Sequence, residues 1–236
     1  MGKGIIYLIP SAISKDVAQA NCTPQLKEVL LNTMFFVVEH AREARRFISS
    51  LKLGITIEDL NFKELNKHTS LNEIKTMLQP AFDGNNIGVL SDAGCPGIAD
   101  PGAEIIKLAH SNKLRVIPLV GPSSILLALM ASGHSGQNFK FSGYLPIKTI
   151  ELRNKIIALE QASFREHETQ IFIETPYRSD KLLQQLISTL KPSTILTAAK
   201  DLTGSEELIV SLPVSKWQAA SLKIGKTPTV FLFLAT

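Results

Sequence analysis

The stretch Ile87-Gly88-Val89-Leu90-Ser91-Asp92-Ala93-Gly94-Cys95-Pro96-Gly97-Ile98-Ala99-Asp100-Pro101-Gly102 decides how this chain folds. Its first four residues are an apolar run behind the turn-forming Asp83-Gly84-Asn85-Asn86, which predicts a buried strand. The next twelve predict a loop that turns into a helix. Gly94 and Gly97 let the backbone approach a ligand or take φ > 0, while Pro96 and Pro101 stiffen it. Asp100 suits an N-cap and Pro101 the first helical position, so a helix is predicted over residues 100–110.

The same alternation extends outward. Upstream, Ile5–Ile9 predicts a strand, and Thr23-Pro24 predicts the N-cap and first residue of a helix reaching Leu31. Residues 34–38 predict a second strand. Ala44, Phe47, Ile48 and Leu51 fall at helical spacing within 39–51. A third strand is expected near 55–60, and a helix over 71–82 perturbed by Pro80. Downstream come a strand at 114–119 and a helix at 122–132. Strand and helix in alternation predict a mostly parallel sheet with helices on both faces. The second half differs: helices at 151–161 and 178–190, strands at 170–174 and 194–199, then strands at 207–211 and Thr229–Leu234 around a short helix, 215–220. That rhythm predicts a mixed sheet with antiparallel pairs. The expectation is two α/β domains, 1–120 and 121–236, divided near Val120, where the Gly121-Pro122 turn ends the first sheet.

The bulk composition agrees with two domains. The chain has 236 residues, 44% hydrophobic and 19% charged, as in an ordinary folded protein. The start, Met1-Gly2-Lys3-Gly4, runs into Ile5–Ile9 with no small-residue cleavage site, so no secretory leader is expected. The most apolar stretch, 116–130, is broken by Pro118, Gly121, Pro122, Ser123 and Ser124, so no membrane span is expected. Two cysteines, Cys22 and Cys95, make no disulfide framework or zinc pattern, which points to a reducing cytoplasm and no metal. The net charge of +4 and pI near 9.0 are compatible with an anionic partner such as RNA.

In open α/β sheets ligands bind beyond the carboxyl ends of the strands. A helix N-terminus there suits a carboxylate, and Asp92 could accept from an amino group. The methionine part of S-adenosyl-L-methionine (SAM) carries both. The plain alternative is a tight strand-to-helix turn with no ligand. The twelve residues 91–102 resemble the signature loop of the tetrapyrrole methylase superfamily, most of all its ribosomal RNA branch, the small-subunit (cytidine-2′-O)-methyltransferases. Collinear matches accompany it. Tyr7-Leu8-Ile9-Pro10 resembles the family's first strand, Glu39 and Arg42 the ends of Glu-Asp-Thr-Arg, and Gly121-Pro122-Ser123-Ser124 the turn after the fifth strand. Gly143-Tyr144-Leu145-Pro146 resembles Gly-Phe-Leu-Pro, and Glu174-Thr175-Pro176-Tyr177-Arg178 resembles Glu-Ser-x-x-Arg. Asp201-Leu202-Thr203, with Glu206 and Glu207, resembles the Glu-Leu-Thr block.

The resemblance spans essentially the whole chain. It implies SAM in a cleft between two α/β domains, and a homodimer. It implies cofactor contacts at Pro10, at Asp92, Ala93, Gly94, Cys95 and Pro96, at Ser123 and Ser124, and at Tyr177, Ala199 and Pro228. It implies methyl transfer to the ribose 2′-oxygen of a cytidine in small-subunit ribosomal RNA. The chain departs from the family on the acceptor side. Pro10-Ser11-Ala12-Ile13-Ser14-Lys15 replaces Pro-Thr-Pro-Ile-Gly-Asn, Glu39-His40-Ala41-Arg42 lacks the acid and hydroxyl, and the family's His-Asn-Glu element before the third helix is reduced to Asn66-Lys67-His68-Thr69. These departures keep two alternatives open: a tetrapyrrole or other small-molecule acceptor, and a non-catalytic SAM-binding relative. No Gly-x-Gly-x-x-Gly follows the first strand, which argues against a nicotinamide dehydrogenase.

Moving a methyl group from a sulfonium to an oxygen is an in-line displacement, helped by a base that takes the hydroxyl proton. Glu39, His40, Glu174 and Lys200 stand where strands should end, but each also reads as a solvated or salt-bridged surface residue, and no catalytic base is assigned. Arg42, Arg45 and Arg46 share a helical face that could grip phosphates or simply be solvated. Cys95 and Trp217 read as packing residues.

Overall fold

The computed structural model describes residues 2–14, 17–220 and 222–236; the Met1 and Lys15 readings lie outside them. The chain forms two compact units, Met1–Ser123 and Ser124–Thr236.

In chain order the first unit holds β1 (Ile5–Ile9), α1 (Pro24–Leu31), β2 (Phe35–Val38), α2 (Ala41–Ser50), β3 (Asn61–Glu64), α3 (Leu71–Met77), α4 (Gln79–Phe82), β4 (Ile87–Leu90), α5 (Gly102–Ser111) and β5 (Arg115–Pro118). Its five strands run in the order β3-β2-β4-β1-β5, and every pair is parallel. Both faces are covered, so the central strands read as continuous apolar runs. Val37 and Val89 pack on one face with Ile74, Met77 and Ile105, whereas Phe36, Val38 and Leu90 pack on the other with Leu26, Leu30 and Ile48. From β1 the chain moves toward β2, and from β4 it moves the opposite way, toward β5. β1 and β4 are neighbours, so the loops after them leave the sheet at a topological switch point, where open α/β sheets bind ligands.

Three details depart from the sequence expectations. The third strand is Asn61–Glu64, later than expected, and residues Ile57–Asp59 form a 3-10 turn. Ile55, Ile57 and Leu60 pack against the core instead of pairing, while the pairing strand lies at the polar edge of the sheet and carries no alternation signal. The helix expected over 71–82 is two, because Pro80 sits at the start of α4, where its missing N–H costs nothing. The helix expected from residue 100 begins at Gly102.

The second unit holds α6 (Ser124–Ser132), β6 (Phe139–Tyr144), α7 (Thr149–Glu166), β7 (Thr169–Glu174), α8 (Ser179–Thr189), β8 (Ile195–Lys200), β9 (Leu208–Pro213), α9 (Val214–Ala220) and β10 (Thr229–Leu234). The sheet order is β6-β7-β10-β8-β9; β6 and β7 are parallel and the other pairs antiparallel, as a mixed sheet requires. Phe172, Phe231, Phe233 and Trp217 fill its core, and the Trp217 indole N–H donates to the Leu196 and Leu212 carbonyls, both at 3.1 Å. Strand β6 was not among the sequence expectations. It is an edge strand whose register breaks between Phe141 and Tyr144, where Gly143 has φ +64, so its apolar residues do not alternate cleanly.

Candidate active site

The loops after β1 and β4 are tied together at the switch point. Ser11 and Gly94 form an isolated antiparallel bridge, with N–H···O distances of 3.0 and 3.2 Å, and the Ser11 hydroxyl donates to the Ser91 carbonyl at 2.8 Å. Gly94 and Gly97 have φ of +76° and +83°, which side chains resist. A Cβ on Gly121 would overlap the Pro10 ring, so the turn after β5 closes onto Pro10. The Cys95 thiol donates to the Pro122 carbonyl at 3.4 Å. Burial pushes that thiol above its ordinary value, which suits a packing group and not a nucleophile. Pro10, residues 92–96 and the 121–123 turn, with Ser123, thus converge in the first unit.

Asp100 turns its carboxylate back into its own loop. It accepts from the Gly97 N–H at 2.9 Å and from the Gly102 N–H at 2.6 Å. Asp100 thus accepts one N–H at the helix start, in the manner expected of an N-cap, and a second from Gly97 within the loop. The N–H groups of Ala93 and Cys95 have no hydrogen-bond partner among the described residues. They are loop donors that an anionic group could accept, close in sequence to the carboxylate of Asp92.

The strand ends bring the titratable groups together. β2 and β4 pair with Val38 opposite Leu90, and two further residues along each chain place His40 opposite Asp92. The His40 Nδ1 lies 2.6 Å from Asp92 Oδ2, while the Asp92 N–H donates to Glu39 Oε2 at 3.3 Å. The hydrogen bond that His40 Nδ1–H donates to Asp92, reinforced by the carboxylate charge, lifts the imidazole above its ordinary value. Burial lifts the Glu39 carboxyl above its usual range, and the Asp92 N–H bond opposes this. One donor atom from each of Glu39, His40 and Asp92 lies within 4.8 Å of the others. The short hydrogen bond joins two of those atoms, so the set is a coupled group of three titratable side chains. The pairing spans 52 residues, and no local signal marks it; only the β2–β4 register does.

The other base candidates are engaged. Glu174, its side chain 0% exposed, pairs with Arg178 Nη2 at 2.9 Å. Lys200 Nζ lies 3.3 Å from Glu206. On α2, Arg46 pairs with the neighbouring Glu43 and Arg45 lies over the Phe62 ring. In the second unit, Tyr177 follows β7, Ala199 lies near the end of β8 and Pro228 precedes β10. The pairs Thr229–Glu174 and Val230–Ala199 bring all three to one sheet edge. Tyr177 is exposed and Ala199 is buried, while Ser124 is the first residue of α6.

No family model matches the chain. The sequence does resemble curated proteins along most of its length. It is 30% identical over 204 residues to a ribosomal RNA small subunit methyltransferase I of Synechocystis sp., covering 86% of this chain and 69% of that one. It is 30% identical over 213 residues to the protein of the same name from Bacillus subtilis, covering 90% and 68%. The chain belongs to the ribosomal RNA small subunit methyltransferase I family. Solved structures agree with that family's fold. The methyltransferase CobJ superimposes with a TM-score of 0.63 at 16% identity, over 100% of this chain and 95% of that one. A uroporphyrin-III C-methyltransferase from Thermus thermophilus, complexed with S-adenosylhomocysteine, gives 0.58 at 13% identity, over 98% and 97%. The two-sheet architecture is therefore the tetrapyrrole methylase fold, and the 91–102 loop occupies its switch point. Among the described residues no helix is long and apolar enough to cross a membrane.

Proposed function

We propose that this chain is a SAM-dependent methyltransferase that modifies a cytidine ribose 2′-oxygen in small-subunit ribosomal RNA. The observation that carries the reading is the 91–102 loop at the switch point, in a chain 30% identical to named ribosomal RNA methyltransferases. The residues present fit SAM. Ala93 and Cys95 offer backbone N–H donors, unpaired among the described residues, to a carboxylate, and Asp92, one-third exposed, offers an acceptor to an amino group. Pro10, Gly94, Pro96 and Ser123 shape the same loop cluster; in the second unit the candidate contacts are Ser124, Tyr177, Ala199 and Pro228. Bound SAM supplies a methyl group on a sulfonium, and the protein's part is to hold it in line with the acceptor oxygen.

The mildly basic charge supports an RNA partner. The same reading includes a homodimer, supported by exposed apolar side chains on one unit, Met130 at 80% and Ile150 at 77%. It also includes a cytoplasmic setting, supported by two free cysteines. Incubation with methyl-labelled SAM and small ribosomal subunits from cells lacking the protein tests the function. Label on one cytidine ribose is the expected result. SAM binding without transfer to RNA overturns the acceptor, and no SAM binding in calorimetry overturns the cofactor. Sedimentation at micromolar concentration tests the dimer.

A further inference from the structure

We propose that His40 is the general base of the reaction, with Asp92 holding it in the productive tautomer. The assignment rests on the ribose-hydroxyl acceptor proposed above. A ribose hydroxyl is a weak nucleophile at neutral pH, and a placed base contributes about 10²–10⁴-fold to such a step. His40 stands at the carboxyl end of β2, beside the β4 loop, on the edge of the sheet where the switch point lies. Its Nδ1 meets Asp92 Oδ2 at 2.6 Å, so the proton of the neutral ring sits on Nδ1 and the lone pair on Nε2. The side chain is 63% exposed, which leaves Nε2 within reach of a reactant. The other three candidates are less available: Glu174 and Lys200 are paired with Arg178 and Glu206, and Glu39 accepts the Asp92 N–H.

The step balances. As the hydroxyl oxygen takes the methyl carbon, its proton passes to His40 Nε2. The carbon–sulfur bond breaks with its electron pair left on sulfur, so the sulfonium ends as a neutral thioether. The imidazolium is paired with the Asp92 carboxylate and returns its proton to water. Among the described residues, every charged group acting on His40 is a carboxylate: Asp92 from the β4 loop, Glu39 from its own strand end and Glu64 from the end of β3. They hold the ring above its ordinary value, so the single-turnover rate should rise with pH through a limb above 6.5.

Two variants separate proton transfer from positioning. His40→Gln removes the base, whereas His40→Asn removes it and keeps a donor toward Asp92. Both should lose about 10²–10⁴-fold in single-turnover transfer, lose the acid limb, and bind SAM within threefold of wild type by calorimetry. Transfer by His40→Asn within threefold of wild type overturns the assignment alone. A wild type that binds SAM yet labels no RNA overturns the acceptor reading and the base with it. Nitrogen-15 NMR of the protein without SAM is independent of activity. The neutral His40 ring should carry its proton on Nδ1, and a proton on Nε2 overturns the assignment whatever the acceptor.

Discussion

Asp100 shows how one side chain organises the loop that carries the chemistry. Its carboxylate bonds to Gly97 and Gly102 hold both glycine-containing turns, so Asp100→Ala should cost about 1–2 kcal/mol and weaken SAM binding severalfold. Urea denaturation and calorimetry read the two effects. Glu174 carries a different obligation. Its fully buried carboxylate depends on Arg178, so Arg178→Ala should destabilise by about 3 kcal/mol, and Glu174→Gln with Arg178→Met by clearly less. Chemical denaturation of the three proteins checks the order. His134 supplies a pH dependence in the second unit. Burial pushes its imidazole down to about 4, with Thr197 Oγ1 at 2.9 Å from Nε2. The folded state thus holds the ring neutral while the unfolded chain takes up the proton below about 6.5. Its contribution is complete above that pH and is lost as pH falls toward 4, roughly 2 kcal/mol after allowance for partial exposure. His134→Gln should flatten the fall of Tm between pH 7 and 4. The positive φ of Gly94 and Gly97 was legible in the sequence, because a turn between a strand and a helix calls for glycine there. The second bond of Asp100, to the Gly97 N–H, was not, because it depends on the loop closing around it.

Among the elements, helix starts were the most legible. Thr23 caps α1 by accepting from the Leu26 N–H at 3.1 Å, with Pro24 at the first position, as the dipeptide predicted. Thr23→Ala should cost about 1 kcal/mol, read from the urea midpoint. Buried central strands were equally plain: β1 and β4 were expected at the residues where they form. Edge strands were not. β3 has Phe62 as its one apolar residue and β6 carries a register break, so neither presents the alternation that a one-sided burial writes into sequence. The base candidates at strand ends also differ once the elements are placed. β7 delivers Glu174 into an ion pair, whereas β2 delivers His40 to solvent beside Asp92.

For the whole molecule, SAM binding to the folded state alone should raise stability by about 2.7 kcal/mol at a hundred times its Kd. A thermal unfolding series with and without SAM measures this, and an unmoved Tm counts against the cofactor. Residue order by itself determined the α/β class, the parallel and mixed characters of the two sheets, and a loop over 91–102 that leads from a buried strand into a helix. Each depends on residues near one another in the chain: apolar period, caps, and glycines and prolines at a turn. Only the tertiary structure decided which strand ends meet. The order β3-β2-β4-β1-β5 puts β4 between β2 and β1, so the β4 loop bridges Ser11 on one side and reaches His40 on the other. That placement comes from packing apolar residues on both sheet faces and from parallel register, interactions between residues dozens of positions apart that leave no mark in any local stretch.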